Sequence, residues 1–454
     1  MIEYMSLIMF AVVILVLLTG FPVAYALAGT GLIFAAIGTF FGFFEPVFLG
    51  LIPNRLFGIM GGSSLTSVLV AVPLFVFMGV MLERSRVAEN LLHSMALLFG
   101  QRSGGLGVAV VIVGMLLAAS TGIVGATVVT MGLLSLPTML ARQYDPKIAT
   151  GVICASGTLG QIIPPSIVLI LLGDQISTAN TNVGTTGKVV SVGDLFIGAL
   201  LPGLLLVTLY IVYLLFVAKL SPSKMPSVKT QGEVIRVRTV MKNLLPPLLL
   251  IAVVLGSILL GAATPTEAAS VGAVGAMLLA FSQKALNWNT LHSTMRQTLT
   301  VSSMVFLILI GANIFSLVFK GFGGDDLVEG LLTDIPGGLV MTVFVVMLVM
   351  FLLGFILDFI EITFVVVPIV APILLSMGVD PIWLGIMIAL NLQTSFLTPP
   401  FGFALFYLRG VAPASVATRD IYLGVMPFIG IQLLVMGLLA FWPQIATWLP
   451  EILG

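Results

Sequence analysis

The stretch Gly157-Thr-Leu-Gly160-Gln161-Ile-Ile-Pro164-Pro165-Ser166 places two adjacent prolines inside an apolar run long enough to cross a bilayer. The stretch Asn391-Leu-Gln393-Thr394-Ser395-Phe-Leu-Thr398-Pro399-Pro400-Phe-Gly402 does the same in the second half of the chain. A proline pair removes two backbone donors and disfavours helix just before it. Each stretch is therefore predicted to form a helix, a break at membrane depth and a second helix.

The composition is that of a polytopic membrane protein. Of the 454 residues, 59% are apolar and only 8% are charged, against roughly 25% charged residues in a soluble domain. The formal net charge of zero argues against a nucleic-acid partner. One cysteine and two histidines exclude an intrachain disulfide and leave too few ligands for a zinc site. The sequence carries no phosphate loop, H-E-x-x-H motif or nucleophile elbow, so we expect neither enzymatic activity nor a cofactor.

The two halves share a register of prolines. Adding 235 to the residue number maps Pro137 onto Pro372, Asp145-Pro146 onto Asp380-Pro381, and Pro164-Pro165 onto Pro399-Pro400. Several proline sites at one offset indicate an internal repeat. We therefore predict an all-α membrane protein with a first repeat at 1–218, a basic linker at 219–242 and a second repeat at 243–454.

Each half also contains two half-length apolar segments ahead of its broken helix. These segments cover about 105–141 and 338–377, and the broken helices cover 145–173 and 380–409. Short arms and a tip of small and polar residues predict re-entrant helical hairpins. Each half then makes five crossings, an odd number that inverts the second half relative to the first. Two hairpin tips that meet two unwound helices near the midplane are the geometry of an inverted-repeat carrier.

Charge sets the expected orientation in a bacterial inner membrane. The linker 219–242 is strongly basic, so the positive-inside rule makes it cytoplasmic and the N-terminus periplasmic. The polar loop predicted at 174–192 then lies outside. Arg55, Lys188 and Lys320 also fall outside, a minority against the cytoplasmic basic residues.

The first candidate sodium site combines the first hairpin tip with the first break. Its predicted residues are Ser120, Thr121, Gly122, Ser156, Gly157, Thr158 and Gly160. Sodium takes several oxygen ligands, and unwound carbonyls and hydroxyls at a helix break supply them without a protein charge. The alternative is that these small residues serve helix packing, a common use in membrane proteins.

The second candidate ion site combines the second hairpin with the second break. Its predicted residues are Asp358, Glu361, Thr363, Asn391, Gln393, Thr394 and Ser395. Burying a carboxylate at bilayer depth costs at least about 2.5–3.5 kcal/mol, so such residues usually serve an ion or proton pathway. On a continuous helix Asp358 and Glu361 would share one face. The alternative is that one of them lies in a shallow turn in water.

Two other motifs are interpreted as structural. Thr264-Pro265-Thr266-Glu267 has the pattern of a capping box at a helix start. A third proline pair, Pro246-Pro247, is interpreted as an ordinary helix start beside the linker.

A resemblance to a known family rests on three segments. Gly157 to Ser166, Asp194-Leu-Phe-Ile-Gly-Ala-Leu-Leu-Pro-Gly203, and Leu357-Asp358 followed by Pro368 and Pro372 resemble the large membrane subunit of tripartite ATP-independent periplasmic (TRAP) transporters. The resemblance covers nearly the whole chain. Gln161 and Asp358-Phe-Ile-Glu361 look most like the branch labelled for mannitol, chloroaromatic and 2-oxoacid systems.

The resemblance implies a sodium-driven elevator carrier, in which hairpins and broken helices slide against a scaffold. It implies that both candidate sites, the tips at 120–122 and around 358 with the breaks at 156–160 and 391–395, bind sodium. It also implies a small four-helix membrane subunit and a periplasmic binding protein that delivers a substrate, usually a carboxylate. It places the substrate among Gln161, Pro164, Pro165, Ser166, Thr398, Pro399 and Pro400. No arginine lies deep in this site, so a helix N-terminus at Ser166 or Phe401 would hold a carboxylate.

The predicted function is thus sodium-coupled import of a small organic acid with a binding protein. One alternative is a stand-alone sodium-dicarboxylate carrier of related fold. Another is a passive channel, which would conduct without saturation or a sodium gradient.

Overall fold

The computed structural model describes residues 4–60, 69–85, 87–99, 102–122, 124–184, 190–227 and 237–453. Within these ranges the regular structure is helical and no strand is present, which confirms the predicted all-α class. The helices of the first half are α1 (Met5–Leu18), α2 (Val23–Phe40), α3 (Ile52–Met60), α4 (Ala71–Arg84), α5 (Val87–Phe99), α6 (Gly105–Thr121), α7 (Val124–Ala141), α8 (Pro146–Thr158), α9 (Ile167–Val183) and α10 (Val192–Leu220).

The helices of the second half follow a similar order. They are α11 (Val237–Leu259), α12 (Pro265–Ser282), α13 (Trp288–Gly321), α14 (Gly324–Thr333), α15 (Gly338–Leu353), α16 (Phe359–Ser376), α17 (Pro381–Leu397), α18 (Phe403–Val411), α19 (Thr418–Phe441) and α20 (Gln444–Leu453). A π-helical segment, Ile362–Val366, lies within α16.

The apolar helices make this a multi-pass membrane protein. Seven helical segments among the described residues are long and apolar enough to cross a bilayer: Val23–Phe40, Val124–Ala141, Val192–Leu220, Val240–Leu259, Trp288–Gly321, Phe359–Ser376 and Thr418–Phe441. A helix hydrogen-bonds its own backbone N–H and C=O groups, and it must do so in the bilayer core because hydrocarbon offers no hydrogen-bond partner. The arms α6 and α15 of the two predicted hairpins are among the shorter apolar helices. The other arms, α7 and α16, are among the seven segments long enough to cross, so the prediction of half-length segments is wrong for these two.

Both proline pairs interrupt helices as predicted. Helix α8 ends at Thr158, a 3-10 turn covers Leu159–Gln161, and α9 begins at Ile167. Helix α17 ends at Leu397 and α18 begins at Phe403. The peptide bonds Pro164–Pro165 and Pro399–Pro400 are both cis.

The helix after the first break is longer than expected. Helix α9 continues to Val183, so the prediction of an end at 173 and a polar loop from 174 is wrong. The hydroxyl groups of Thr178 and Thr181 donate to the carbonyls of Asp174 and Ser177, at 2.8 and 2.9 Å. These polar side chains bond to their own helix and do not terminate it.

The interpretation of Pro246-Pro247 as a helix start is also wrong, because both prolines lie inside α11. The carbonyls of Lys242 and Asn243 lose their helical donors there. Lys242 is exposed near the start of the helix, where water can satisfy a carbonyl. Lys188 and the centre of the predicted linker, 228–236, lie outside the described residues.

The chain forms two compact units, and each takes segments from both halves. The first unit comprises Met1–Val70, Ile170–Val192 and Thr300–Gly385, and the second comprises Ala71–Leu169, Gly193–Leu299 and Ile386–Gly454.

Small residues set the closest helix contacts inside each unit. In the first unit, a Cβ placed on Gly311 of α13 would lie 2.4 Å from the carbonyl oxygen of Ala24 in α2. In the second unit, a Cβ on Gly272 of α12 would lie 2.6 Å from the sulfur of Met78 in α4. An early helix thus packs on a late one in both units, which is what two halves related by a two-fold axis would produce. The repeat boundaries themselves stay a prediction.

Candidate functional site

The first break frees two main-chain carbonyls. Pro164 and Pro165 cannot donate to the carbonyls four residues earlier, at Gly160 and Gln161. The Gln161 carbonyl accepts instead from the Ser166 hydroxyl at 3.0 Å. The Ser166 oxygen in turn accepts from the Leu169 N–H at 3.4 Å. Ser166 therefore caps α9 as the sequence predicted, and the Gly160 carbonyl has lost its helical donor.

At the second break Pro399 and Pro400 cannot donate to the carbonyls four residues earlier, at Ser395 and Phe396, and the Ser395 carbonyl accepts instead from the Thr398 N–H at 3.1 Å. Close packing requires glycine at 402, since a Cβ there would lie 2.6 Å from the Phe396 carbonyl oxygen. Helix α18 begins at Phe403 with Gly402 as its N-cap. The predicted helix start at Phe401 is thus two residues early.

Hydroxyl groups line both breaks in an orientation that leaves oxygen lone pairs available. Each donates its proton to a carbonyl of its own helix, at 2.7 to 3.2 Å, in Ser156, Thr158, Thr394, Ser395 and Thr398. A hydroxyl with its proton engaged in this way can still accept a hydrogen bond or ligate a cation. On α17, the spacing of Asn391, Thr394 and Ser395 places them on one helix face, and Thr398 follows directly after the helix end at Leu397.

The two breaks meet through one pair of polar side chains. The Gln393 side-chain amide donates a long hydrogen bond, 3.5 Å, to the Thr158 hydroxyl. Both side chains are fully buried. Residues 158 and 393 are separated by 235 positions, the same offset that maps one proline pair onto the other. The sequence interpretation did not draw this pairing from the offset.

Buried amide atoms at the breaks lack partners among the described residues. Both side-chain polar atoms of Gln161 and the Gln393 Oε1 make no hydrogen bond there. Such atoms cost about 1–3 kcal/mol each when nothing satisfies them. They are available to an ion, a substrate group or water.

The first hairpin packs directly against the first break. A Cβ on Gly160 would lie 3.0 Å from the Ala118 carbonyl oxygen, and one on Gly157 would lie 2.4 Å from Val128 Cγ2. Gly122 adopts a φ of +61° between the two arms, with Ile167 beside it. These glycines thus serve close packing, the alternative that the sequence left open. The side chains of Ser120 and Thr121 lie outside the described part of the structure.

Asp358 and Glu361 form a capping box at the start of α16. The Asp358 N–H donates to Glu361 Oε2 at 2.8 Å, and Asp358 Oδ1 accepts from the Phe359 N–H at 2.6 Å. The expectation of a shared face on a continuous helix is wrong, because the chain leaves helical structure after Leu353 and α16 restarts at Phe359. The D-x-x-E spacing is itself a capping signal, and the sequence interpretation overlooked it.

Thr363 lies in the π-helical segment of α16, immediately before Pro368. Pro368 cannot donate to the Phe364 carbonyl, so the regular hydrogen-bond ladder is interrupted there. The Thr363 hydroxyl is fully buried and has no partner among the described residues. Segments of π-helix occur frequently at functional sites.

The candidate residues divide between the two compact units. The first break, the first hairpin tip and the second break, including Asn391 to Pro400, belong to the second unit. Asp358, Glu361 and Thr363 belong to the first unit. The structure therefore brings the two breaks together through Thr158 and Gln393.

Residues 10–445 match the family model of the tripartite ATP-independent periplasmic transporter, DctM component. The chain belongs to this family. It is a TRAP large permease, a membrane subunit of a secondary transporter, and the resemblance noted in the sequence is confirmed.

Named relatives extend over whole chains. A C4-dicarboxylate TRAP large permease of Rhodobacter capsulatus is 30% identical over 99% of both chains. One of Vibrio cholerae is 29% identical over 98% of this chain and 97% of its own. A sialic acid TRAP large permease of Vibrio cholerae is 28% identical over 96% of both chains. These relatives are transport proteins, which confirms a transporter and not an enzyme.

Two solved transporters share the fold. YdaH of Alcanivorax borkumensis has a TM-score of 0.61 at 15% identity, over 87% of this chain and 88% of its own. MtrF of Neisseria gonorrhoeae has a TM-score of 0.57 at 12% identity, over 87% of this chain and 84% of its own. At such identities the likeness concerns the fold of the TRAP large permease alone.

Proposed function

We propose that this TRAP large permease imports a small organic acid together with sodium ions, in a bacterial inner membrane. The observation that carries the proposal is the contact between the two breaks. It joins Thr158 and Gln393 in a buried region that holds unpartnered amide atoms, close in sequence to the Gly160 carbonyl, which has lost its helical donor. Relatives named for C4-dicarboxylates and sialic acid support an acidic substrate.

Sodium suits the ligands that the breaks supply. Thr158 and Ser156 hold their hydroxyl protons on helix carbonyls, so their lone pairs remain for a cation. The Gly160 carbonyl adds an oxygen without a helical donor. Neutral oxygens of this kind bind a monovalent cation without placing a carboxylate at bilayer depth.

The substrate carboxylate is proposed to lie against donors at the same breaks. Gln161 Nε2 is an unpartnered buried donor. The start of α9, capped by Ser166, adds free N–H groups and the positive end of a helix dipole. The remaining predicted residues, Pro164, Pro165, Thr398, Pro399 and Pro400, would shape the walls and do not supply charge.

The transport cycle is proposed to follow the family pattern. A periplasmic binding protein delivers the acid, a small four-helix subunit supports the large permease, and the hairpins with the broken helices move as an elevator. The N-terminus is expected on the periplasmic side, since the basic linker is expected to be cytoplasmic.

Component omission tests this proposal. The large permease would be reconstituted with its small subunit, and uptake of radiolabelled succinate, pyruvate, N-acetylneuraminate and ectoine would be measured with and without binding protein and sodium. We expect saturable uptake of at least one acid that requires all components. Undiminished uptake without the binding protein would instead support the stand-alone carrier, and non-saturating flux would support a channel.

A further inference from the structure

The first compact unit contains a cavity of about 400 Å³ with both polar and apolar walls. Pockets for small ligands start at roughly 300 Å³. Its walls come from α3, α9, α13 and α16. The residues used below are Arg55, Asp174, Thr178, Asn313, Lys320 and Phe364.

Two basic residues at this cavity are exceptions to the charge distribution of the chain. Arg55 and Lys320 both fall on the side of the membrane that the positive-inside count leaves poor in basic residues. They are 265 positions apart in sequence, yet both line one cavity. The positive-inside rule does not explain basic residues on this side of the membrane, whereas a binding function at the cavity would.

The Arg55 guanidinium keeps its N–H donors available to a ligand. Among the described residues it makes no hydrogen bond and no salt bridge, although the Asp325 carboxylate attracts it electrostatically. That carboxylate lies 2.9 Å from the Lys320 ammonium, so Lys320 and Asp325 neutralise each other and Arg55 supplies the net positive charge of the three. Arg55 is half-buried, and a guanidinium presents two parallel N–H donors that match a carboxylate.

The rest of the wall suits a polar molecule. The Asp174 side chain is 8% exposed and accepts from Gln175 Nε2 at 3.0 Å. Asn313 donates through Nδ2 to the Leu309 carbonyl at 3.0 Å, which leaves its side-chain oxygen to accept. Phe364, Pro368 and Pro372 form an apolar wall. Acceptors beside a guanidinium favour an acid that carries hydroxyl or amino groups over a purely aliphatic one.

We propose that this cavity binds the carboxylate of a small polar organic acid through the Arg55 guanidinium, as a receiving site separate from the two breaks. The identification of that acid as the transported substrate rests on the proposed function. The carboxylate would thus meet an arginine at this cavity, whereas the sequence offers none within the breaks.

Cysteine protection tests the site directly. Thr178→Cys would place a thiol in the cavity of the full chain in membrane vesicles, and its maleimide labelling rate would be measured with added malate, succinate, pyruvate or N-acetylneuraminate. We expect at least one acid to slow labelling several-fold. The slowing should vanish in Arg55→Gln and return in Arg55→Lys. Thr333→Cys, exposed and outside the cavity, should show no protection.

Transport kinetics give the second readout. Losing a charged hydrogen bond should raise KM about tenfold or more in Arg55→Gln, with a smaller change in maximal rate. Arg419→Gln removes an exposed charge outside the cavity and should leave KM unchanged.

The outcomes separate the two proposals. Suppose that the chain transports the acid, but Arg55→Gln changes neither the protection of the thiol from maleimide nor KM. That result would overturn the cavity site and leave the proposed function standing. A chain that transports no acid would overturn the proposed function. If labelling responds to anionic phospholipid in the vesicles and to no acid, the cavity holds a lipid headgroup and the carboxylate site is rejected.

Discussion

The Gln393 side-chain amide lies 3.5 Å from the Thr158 hydroxyl, and the two residues are separated by the same 235 positions that superimpose the two proline pairs. A residue on a two-fold axis contacts its own symmetry mate. If the two halves are related by a two-fold axis, as the repeat predicts, that axis would pass between Thr158 and Gln393. Any ion or acid held at the breaks would then be held by both halves together.

Removing the Thr158 hydroxyl should weaken sodium binding. Thr158→Val keeps the shape of the side chain but deletes a proposed ligand and the partner of Gln393. Because one lost interaction of about 1.4 kcal/mol corresponds to a factor of ten, the sodium concentration for half-maximal uptake should rise about tenfold. The matched control is Thr208→Val, since Thr208 also donates to its own helix, at 2.7 Å, but is exposed. If both variants need the same sodium concentration for half-maximal uptake, Thr158 is not a sodium ligand.

The contact between α8 and α19 should not tolerate a methyl group. A Cβ on Gly151 would lie 2.1 Å from the Gly424 carbonyl oxygen. Gly151→Ala should therefore destabilise the protein by about 1–3 kcal/mol or more through overpacking, measured as a lower Tm of the purified chain. On α19, Gly437→Ala meets nothing within 4 Å and should leave the Tm almost unchanged. A Gly151→Ala chain with the parent Tm would show that the two helices are farther apart than described.

The carboxylates of the second hairpin allow a test that separates capping from ion binding. Asp358→Asn and Glu361→Gln keep an acceptor oxygen, so both should preserve the cap and the Tm. Asp358→Ala should lower the free energy of unfolding by about 1 kcal/mol, the usual effect of removing an N-cap side chain. If Asp358 also serves sodium, Asp358→Asn will lower sodium affinity while stability stays constant. Sodium dependence identical to the parent would leave Asp358 with the structural role alone.

The helix breaks and the internal repeat were predicted from the proline pairs. The pairs predicted both helix breaks because a missing N–H removes a backbone hydrogen bond locally. Pro246-Pro247 was instead interpreted as a helix start, which was wrong: the helix continues through this pair, where exposed Lys242 lets water satisfy a carbonyl that has lost its donor. The offset of 235 also makes Thr158 and Gln393 equivalent positions, although only the folded chain shows that their side chains touch.

Other features could not be predicted for physical reasons. The extension of α9 to Val183 depends on hydroxyl groups that bond back to helix carbonyls, which composition alone does not distinguish from a loop. The cavity around Arg55 draws its walls from four helices that are distant in sequence, so no local pattern marks it. Asp358 and Glu361 were assigned to an ion site because of their charge, whereas their spacing already indicated a cap.

The most direct test of the account is the coupling of sodium to acid movement. In proteoliposomes that hold the large permease with its small subunit and binding protein, the uptake of radioactive sodium would be followed after a transported acid is added. The account predicts that the acid stimulates sodium uptake in the parent, and that Thr158→Val requires about tenfold more sodium for the same stimulation. Full acid uptake with choline in place of sodium, and no acid-stimulated sodium flux, would contradict it.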